Sequence, residues 1–303
     1  MKKPRLALFV GVICISIFPI LVKLSLTSGL ISAFYRMLFS FLLLLPYVLF
    51  KKQFALPSVK IGLLAALCGV IFGSDVAVWN IAIQESTATQ ASLLTNLSPV
   101  WVGFISLFFL KDKPKTNFWI GTTVAVFGMV LLVGFSMFKN LDFDLAFNFA
   151  VLSGMLYAVY MLLSKHILNY INVTTFMLIS LGASSVYLGV LNFALNEAFF
   201  GFSTDAWLVL LAQAVICQLL AWLLISYATQ HMRATRVSVS LLGQGVLASV
   251  LAWLLLDETI TIQMCIGGFI LLWGIRITFY NNQILAKNWL KKRKSKALFI
   301  TRE

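Results

Sequence analysis

Asp75 is the residue of this sequence whose type and position best suit chemistry. It lies deep within a long apolar stretch, where an ionisable group is costly and is expected to face protein or water. Such a carboxylate can bind a cation or carry a proton. It can instead form a structural ion pair or be capped by neighbouring hydroxyl groups. Trp79 follows one helical turn later, on the same face.

Two basic residues also lie within apolar stretches. Arg36 is near the start of the second stretch and could hold a substrate carboxylate or pair with Asp75. Lys23 ends the first stretch, where a long side chain can reach the membrane surface, which favours a structural role. We predict that Arg36 and Asp75 line a binding pathway.

Polar residues recur beside residues that weaken helices. Asn96 precedes Pro99, which kinks a helix, and Gln244 lies between Gly243 and Gly245. Paired kinks at equivalent depth suggest a central cavity. The alternative is that Asn96 and Gln244 form hydrogen bonds between helices and fix their packing.

Four aromatic residues lie deeper than the many that are expected at the membrane surface: Trp79, Trp101, Tyr157 and Trp222. Any of them could stack on an organic solute, although packing in the core is the commoner role. The predicted substrate-binding set is Arg36, Asp75, Trp79, Asn96, Trp101, Tyr157 and Gln244.

The composition says what kind of protein must position these residues. Of 303 residues, 61% are apolar and 11% are charged, and the mean hydropathy is +0.96. Soluble domains are about half apolar and a quarter charged. A soluble globular domain and a disordered chain are therefore excluded, and a membrane protein with several spans is predicted.

Ten apolar stretches are long enough to cross a hydrocarbon core of about 30 Å as helices. They run over residues 6–26, 31–50, 61–83, 90–110, 117–136, 146–164, 173–195, 206–227, 237–256 and 261–281. Their continuity favours helices over barrel strands, which would be shorter and would alternate in polarity. The first stretch is too long for a signal peptide, so we expect it to be retained.

The basic residues predict the direction of these helices. Nineteen of the 23 Lys and Arg residues fall on one side of a ten-span arrangement, while Lys139 alone is in a loop on the other side. Because Lys and Arg favour cytoplasmic loops, both termini are predicted to be cytoplasmic. The basic tail, residues 282–303, is expected to lie against anionic lipid; the alternative is a tail that binds nucleic acid or a partner.

Residues 80–132 resemble residues 226–278 at a constant offset of 146, with ten of 53 pairs identical. Gly121 and Gly128 fall on Gly267 and Gly274, and Lys23 falls on Lys165 at an offset of 142. A unit of five helices reverses its direction at each copy. The sequence therefore predicts two inverted repeats, residues 1–140 and 141–281, an arrangement that recurs in secondary transporters.

Enzyme and cofactor motifs are missing from the sequence. It has neither a Walker A loop nor an HExxH motif. Its four cysteines (Cys14, Cys68, Cys217 and Cys265) are isolated in apolar stretches, where we expect them to be buried. We predict no enzyme activity, no cofactor and no bound metal.

The end of each half resembles the EamA-type branch of the drug/metabolite transporter superfamily. In the first half the matching residues are Ala88–Ser92, Leu97–Val100, Gly121 and Gly128. In the second half they are Arg233–Ser238, Leu241–Val246, Leu256–Glu258, Gly267 and Gly274. Arg36 matches an arginine that such proteins often carry in the second helix. The sequence departs from the family at Gly245, where proline is frequent, and at Lys111–Asp112, where Gly-Glu is usual.

The resemblance implies an integral protein of the bacterial inner membrane that moves small organic solutes, commonly by exporting amino acids or other metabolites. We predict a secondary transporter that works by alternating access, with protons as a possible coupling ion and no nucleic acid as a partner. The alternatives are a channel-like passive facilitator and, third, a membrane-embedded enzyme.

Overall fold

The structure is a computed structural model that describes residues 2–23, 27–52, 54, 56–85, 95–109, 113–134, 145–256 and 259–280. Every regular element within these ranges is a helix. The first half of the chain forms α1 (Lys2–Ser16), α2 (Phe18–Lys23), α3 (Gly29–Phe50), α4 (Val59–Glu85), α5 (Ser98–Phe109) and α6 (Thr116–Val133). The second half forms α7 (Leu145–Ile167), α8 (Val173–Ala194), α9 (Thr204–Ala212), a π-helical segment (Gln213–Leu220), α10 (Ala221–His231), α11 (Ala234–Leu241), α12 (Gly243–Leu256) and α13 (Ile262–Phe279).

Nine helical stretches of the described chain are long and apolar enough to cross a membrane. They are Lys2–Val22, Gly29–Phe50, Val59–Gln84, Thr116–Val133, Phe147–Ile167, Val173–Ala194, Thr204–His231, Ala234–Leu255 and Ile262–Phe279. Ser98–Phe108 is a shorter apolar helix. Each of these stretches overlaps one of the ten predicted spans, and the shorter helix lies within the fourth.

Side-chain caps mark where several helices begin. The hydroxyl of Ser28 accepts a hydrogen bond from the Ile31 amide, and the Asn172 carboxamide accepts one from the Thr175 amide. Such caps satisfy amide groups that have no partner within the first turn of a helix. They therefore fix where α3 and α8 enter the membrane.

Three spans are interrupted. The first breaks at Ile17, shortly before Pro19, because proline supplies no amide hydrogen for the helical ladder. The span that contains Gln244 has a break at Leu242, close to the predicted weak point. In the fourth predicted span, Pro99 lies in the first turn of α5, where a missing amide hydrogen costs no bond. The sequence analysis missed the π-helical segment within the predicted span 206–227.

Helix α4 is central to the packing, with α7 and α8 against it. Asp75 bonds Ser153 and the Cys68 thiol bonds the Tyr160 carbonyl, so α4 and α7 run antiparallel. Gly69, part of the Gly69–Gly73 motif, lies against the backbone of Ser180, where an added Cβ would clash. Small residues thus allow these helices to approach closely, as is common in membranes.

Helices α6 and α13 also pack closely, through four glycines. A Cβ on Gly128 would lie 2.3 Å from the Leu271 amide nitrogen, and one on Gly267 would lie 2.3 Å from the Leu132 nitrogen. The contacts follow an antiparallel register, pairing Gly121 with Thr278, Ala125 with Gly274, Gly128 with Leu271, and Leu132 with Gly267. A shift of 146 residues converts each contact into another member of this set.

The structure corrects one cysteine. Cys14, Cys68 and Cys217 are buried as predicted, whereas Cys265 is exposed. It lies on α13, whose glycines face α6, and the other faces of a surface helix point away from the core. Several features of the sequence analysis lie outside the described residues: Ala88–Ser92, Lys111–Asp112, Lys139, Asp257–Glu258 and the tail 282–303.

Candidate functional site

A cavity of about 60 Å³ lies between helices of both halves. It is lined by Ile15, Arg36, Phe72, Asp75, Val76, Trp79, Thr95, Asn96, Ser98, Tyr157, Trp222, Ser238, Leu241, Leu242 and Gln244. Six of the seven predicted binding residues are in this set. Trp101, the seventh, packs against the main hydrophobic core instead.

Asp75 is buried in the wall of this cavity on α4. Its carboxylate oxygen Oδ1 accepts a hydrogen bond of 2.6 Å from the Ser153 hydroxyl on α7. Of the alternatives for Asp75, the structure therefore displays a hydroxyl-bonded carboxylate. Asp75 also lies near Arg36 without a direct salt bridge between the two side chains, both of which are fully described.

Arg36 is only 1% exposed, and its partners in the structure are neutral. Nε donates to the Gln218 side chain at 2.8 Å, and Nη2 donates to the Cys217 carbonyl at 3.4 Å. Both acceptors belong to the π-helical segment. The guanidinium also lies 4.2 Å from the ring centre of Phe18, a favourable cation–π contact.

Four residues that line the cavity each carry a buried polar atom without a hydrogen-bond partner in the described part of the chain. These atoms are Arg36 Nη1, Trp79 Nε1, Tyr157 Oη and Trp222 Nε1. All four can donate a hydrogen bond, and the tyrosine hydroxyl can also accept one. Because buried polar groups are nearly always satisfied, a concentration of unpaired donors around one cavity marks it as a place for an acceptor.

Asn96 and Gln244 meet across the two halves. The Gln244 carboxamide donates to the Asn96 oxygen at 3.3 Å, and both residues also line the cavity. The structure thus places the pair where both proposed roles, packing between helices and contact with a solute, are possible.

Most of the cavity lining consists of repeat-equivalent positions. An offset of 142 residues relates Ile15 to Tyr157, and 146 relates Val76 to Trp222. The same offset of 146 relates three further lining pairs, Thr95 with Leu241, Asn96 with Leu242, and Ser98 with Gln244. The cavity therefore lies where the two halves face each other.

Sequence reasoning missed Ser153 and Gln218 as partners of the two charges. Both left a signal, because Ser153 lies four residues before Tyr157 on α7 and Gln218 is a polar residue within an apolar span. Trp222 was noted as deep but was left out of the predicted set. In the described ranges, no group of three or more His, Cys, Asp or Glu side chains could hold a metal ion.

Relatives of the chain carry transporter names. An uncharacterized transporter of Archaeoglobus fulgidus is 27% identical over 254 residues, which cover 81% of this chain and 86% of that protein. The uncharacterized transporter YdfC of Bacillus subtilis is 23% identical over 273 residues, which cover 89% of this chain and 84% of that protein.

A solved crystal structure of a protein has the same fold. It superposes with a TM-score of 0.76 at 14% identity and covers 95% of this chain and 99% of its own. The EamA-like transporter family matches the sequence twice, over residues 3–134 and 145–280. These matches and the apolar helices indicate an integral multi-pass membrane protein, and a transporter rather than an enzyme. The chain belongs to the EamA-like transporter family.

Proposed function

We propose that the protein is a secondary transporter of small organic solutes that binds its cargo in the cavity between the two halves. The observation that carries this proposal is the cavity between the halves, which is lined by the buried residues Arg36 and Asp75 and by residues of both halves that carry unpaired donors. Polar and charged groups inside a membrane protein are expensive, and they usually mark the path of a substrate or an ion.

Alternating access is supported by the architecture, because paired halves with a site between them recur in secondary transporters. The cavity between the two halves is where such a carrier would bind its cargo. A passive facilitator would instead keep an open path.

We further propose ten spans, with residues 1–140 and 141–281 as inverted repeats and residues 282–303 as a cytoplasmic tail. Because α4 and α7 run antiparallel, an even number of crossings must separate them, so α5 crosses if α6 does. The 12 residues of α5 span about 18 Å at 1.5 Å per residue. Residues 86–94, which precede it, lie outside the described chain. The Lys and Arg distribution favours cytoplasmic termini.

The family resemblance suggests an amino acid or a related metabolite as the cargo, moved outward across a bacterial inner membrane. An acid and a base in one cavity suit a molecule with ionised groups, and the family resemblance suggests export. Asp75 is the candidate for coupling to protons, since it is the one carboxylate among the described residues that line the cavity.

Metabolite profiling of cells and medium, with and without the protein, tests this function. Cells that express the protein should accumulate the cargo outside, and cells that express Arg36→Gln at the same level should not. Asp205→Asn, at an exposed position of α9, is the control and should behave as the wild type. Identical profiles in all strains would contradict transport of a cellular metabolite.

Counterflow in proteoliposomes separates a carrier from a channel. Proteoliposomes that contain a carrier and are loaded with unlabelled cargo take up labelled cargo transiently above equilibrium. This happens because the binding site returns across the membrane with cargo bound. A passive facilitator shows no such stimulation, and that result would overturn alternating access.

A further inference from the structure

We propose that the cavity binds an organic carboxylate together with a proton, with the anion at Arg36 and the proton on Asp75. This inference rests on the transport function proposed above and adds the class of cargo and the sign of the coupling. It predicts that the anion and the proton cross the membrane in the same direction, without net movement of charge.

The unpaired groups favour an anion. Arg36 Nη1, Trp79 Nε1 and Trp222 Nε1 can only donate hydrogen bonds, and Tyr157 Oη can donate one as well. A carboxylate offers two oxygens with about four acceptor positions, so one such group can receive several of these donors. A ligand that offered only an amine or the N–H group of an amide, both of which donate hydrogen bonds, would leave these donors of the protein unsatisfied.

The charge of Arg36 points the same way. Its protein partners, the Gln218 side chain and the Cys217 carbonyl, are neutral, and Asp75 forms no salt bridge with it. A buried charge without a paired counter-charge is destabilising. An anionic ligand at Nη1 would supply that counter-charge in the place where the structure leaves a free donor.

Asp75 determines what accompanies the anion. The charged or titratable groups that act on it are Arg36 on α3 and Tyr157 and Tyr160 on α7. On α8, which also packs against α4, Tyr187 contacts the Ser74 hydroxyl. Among the described residues, Arg36 is thus the single cation near this carboxylate. Once an anion pairs with Arg36, the negative charge of Asp75 loses that compensation, and Asp75 takes up a proton from water.

A zwitterionic cargo would need different hydrogen-bond partners in the cavity. Its ammonium group brings three further donors into a cavity that already has four donors without partners. Its charge would pair with ionised Asp75, and no proton would be taken up. An amino acid and its hydroxy-acid analogue therefore distinguish the two forms of cargo, since they differ only in ammonium or hydroxyl at one carbon.

Two matched pairs of labelled probes test the proposal: lactate with alanine, and phenyllactate with phenylalanine. The full-length protein is reconstituted in liposomes that contain a pH-sensitive dye, and uptake of label and protons is measured together. We expect the hydroxy acids to enter with about one proton per anion and with no response to membrane potential. Their amino-acid partners should enter at least tenfold more slowly.

Variants of residues that line the cavity connect this result to it. Tyr157→Phe and Trp222→Phe each remove one unpaired donor and should lower the affinity for the hydroxy acid by about tenfold, the effect of about 1.4 kcal/mol. Trp253→Phe changes a half-exposed tryptophan outside the cavity and should leave the affinity unchanged. Asp75→Asn should reduce the ratio of protons to anions from about one to near zero and make uptake respond to membrane potential.

Several outcomes would overturn the proposal. Uptake of the amino acids without their hydroxy-acid partners would leave transport standing and would reject the carboxylate. Hydroxy-acid uptake without protons, or with net charge, would reject the coupling even if Asp75→Asn failed to fold. If the solute found by metabolite profiling lacks an anionic group and neither hydroxy acid is taken up, the carboxylate is wrong. If counterflow with that solute also fails, the proposed transport function is wrong as well.

Discussion

The contact between α4 and α7 and the contact between α10 and α1 occupy equivalent places in the two halves, but their chemistry differs. In the first, Asp75 accepts a hydrogen bond from Ser153. The offsets of 146 and 142 take these positions to Ala221 and Gly11, where an added Cβ on Gly11 would lie 3.1 Å from the Ala221 carbonyl oxygen. One position holds a charge, and its counterpart is closed by two small residues.

This difference teaches that the repeat determines where helices lie but not what they carry. The glycine contacts between α6 and α13 are reciprocal, so both halves contribute equally to packing. Both charges of the cavity, Arg36 and Asp75, come from the first half. A carrier with equivalent architecture on both sides can thus keep one defined place for an ionised cargo.

The largest effect is expected where the halves are most alike. Gly128→Ala and Gly267→Ala each place a Cβ 2.3 Å from a backbone nitrogen, so each should cost about 2–3 kcal/mol of stability as overpacking. Thermal unfolding in detergent should show similar losses for both. Gly62→Ala, whose Cβ would lie 3.6 Å from Pro57, is the control. Equivalence of the halves is broken if one of the pair behaves like this control.

The next effect concerns the charge that the halves do not share. Asp75→Ala should lower transport by about tenfold or more, the effect of about 1.4 kcal/mol, because the cavity loses its carboxylate. Adding Ala221→Asp should not restore transport, since Gly11 offers no hydroxyl there. Transport is measured in proteoliposomes at equal amounts of folded protein. Recovery in the double variant would show that the two positions are interchangeable.

A smaller effect is expected at two equivalent glutamines. Gln84 accepts from the Gly29 amide and donates to the Thr27 carbonyl, whereas Gln230 donates to the carbonyls of Leu168 and Ile171. Replacing either by alanine should cost about 1 kcal/mol. Hydrogen exchange should increase near residue 28 in one variant and near residue 170 in the other. An increase at both places in a single variant would reveal coupling that these contacts do not predict.

The smallest effect on stability is expected between Asn96 and Gln244. Their hydrogen bond is 3.3 Å long, so Gln244→Leu should change stability by about 0.5 kcal/mol or less. If these residues contact the cargo, the same variant raises the KM of transport severalfold. Unchanged KM with a larger loss of stability would assign the pair to packing alone.

Much of the architecture could be predicted from the sequence, because a membrane imposes simple rules on length, apolarity and loop charge. Nine of the ten predicted spans match helices that are long and apolar enough to cross a membrane, with bounds that differ by a few residues. The glycines that align between the halves are the ones that meet in α6 and α13. The chemistry of the cavity was partly readable as well, since Asp75 and Arg36 are conspicuous in apolar stretches.

The partners of these residues were harder to predict. Ser153 and Gln218 contact the charges from distant parts of the chain, and which helices pack together is not encoded in periodicity. Trp101 and Trp222 look alike in the sequence and both pack in the main hydrophobic core, but of the two only Trp222 also lines the cavity. Likewise, the local residue pattern did not indicate the π-helical segment that accepts hydrogen bonds from Arg36.

The reciprocal glycine contacts have a consequence for the history of the chain. Since the four glycine contacts between α6 and α13 map onto one another under the offset of 146, each half carries a copy of the glycine surface that packs against the other. Two identical polypeptides inserted in opposite directions could form the same interface. Gene duplication would then have joined two existing partners, and the single acid at Asp75 would date from their later divergence.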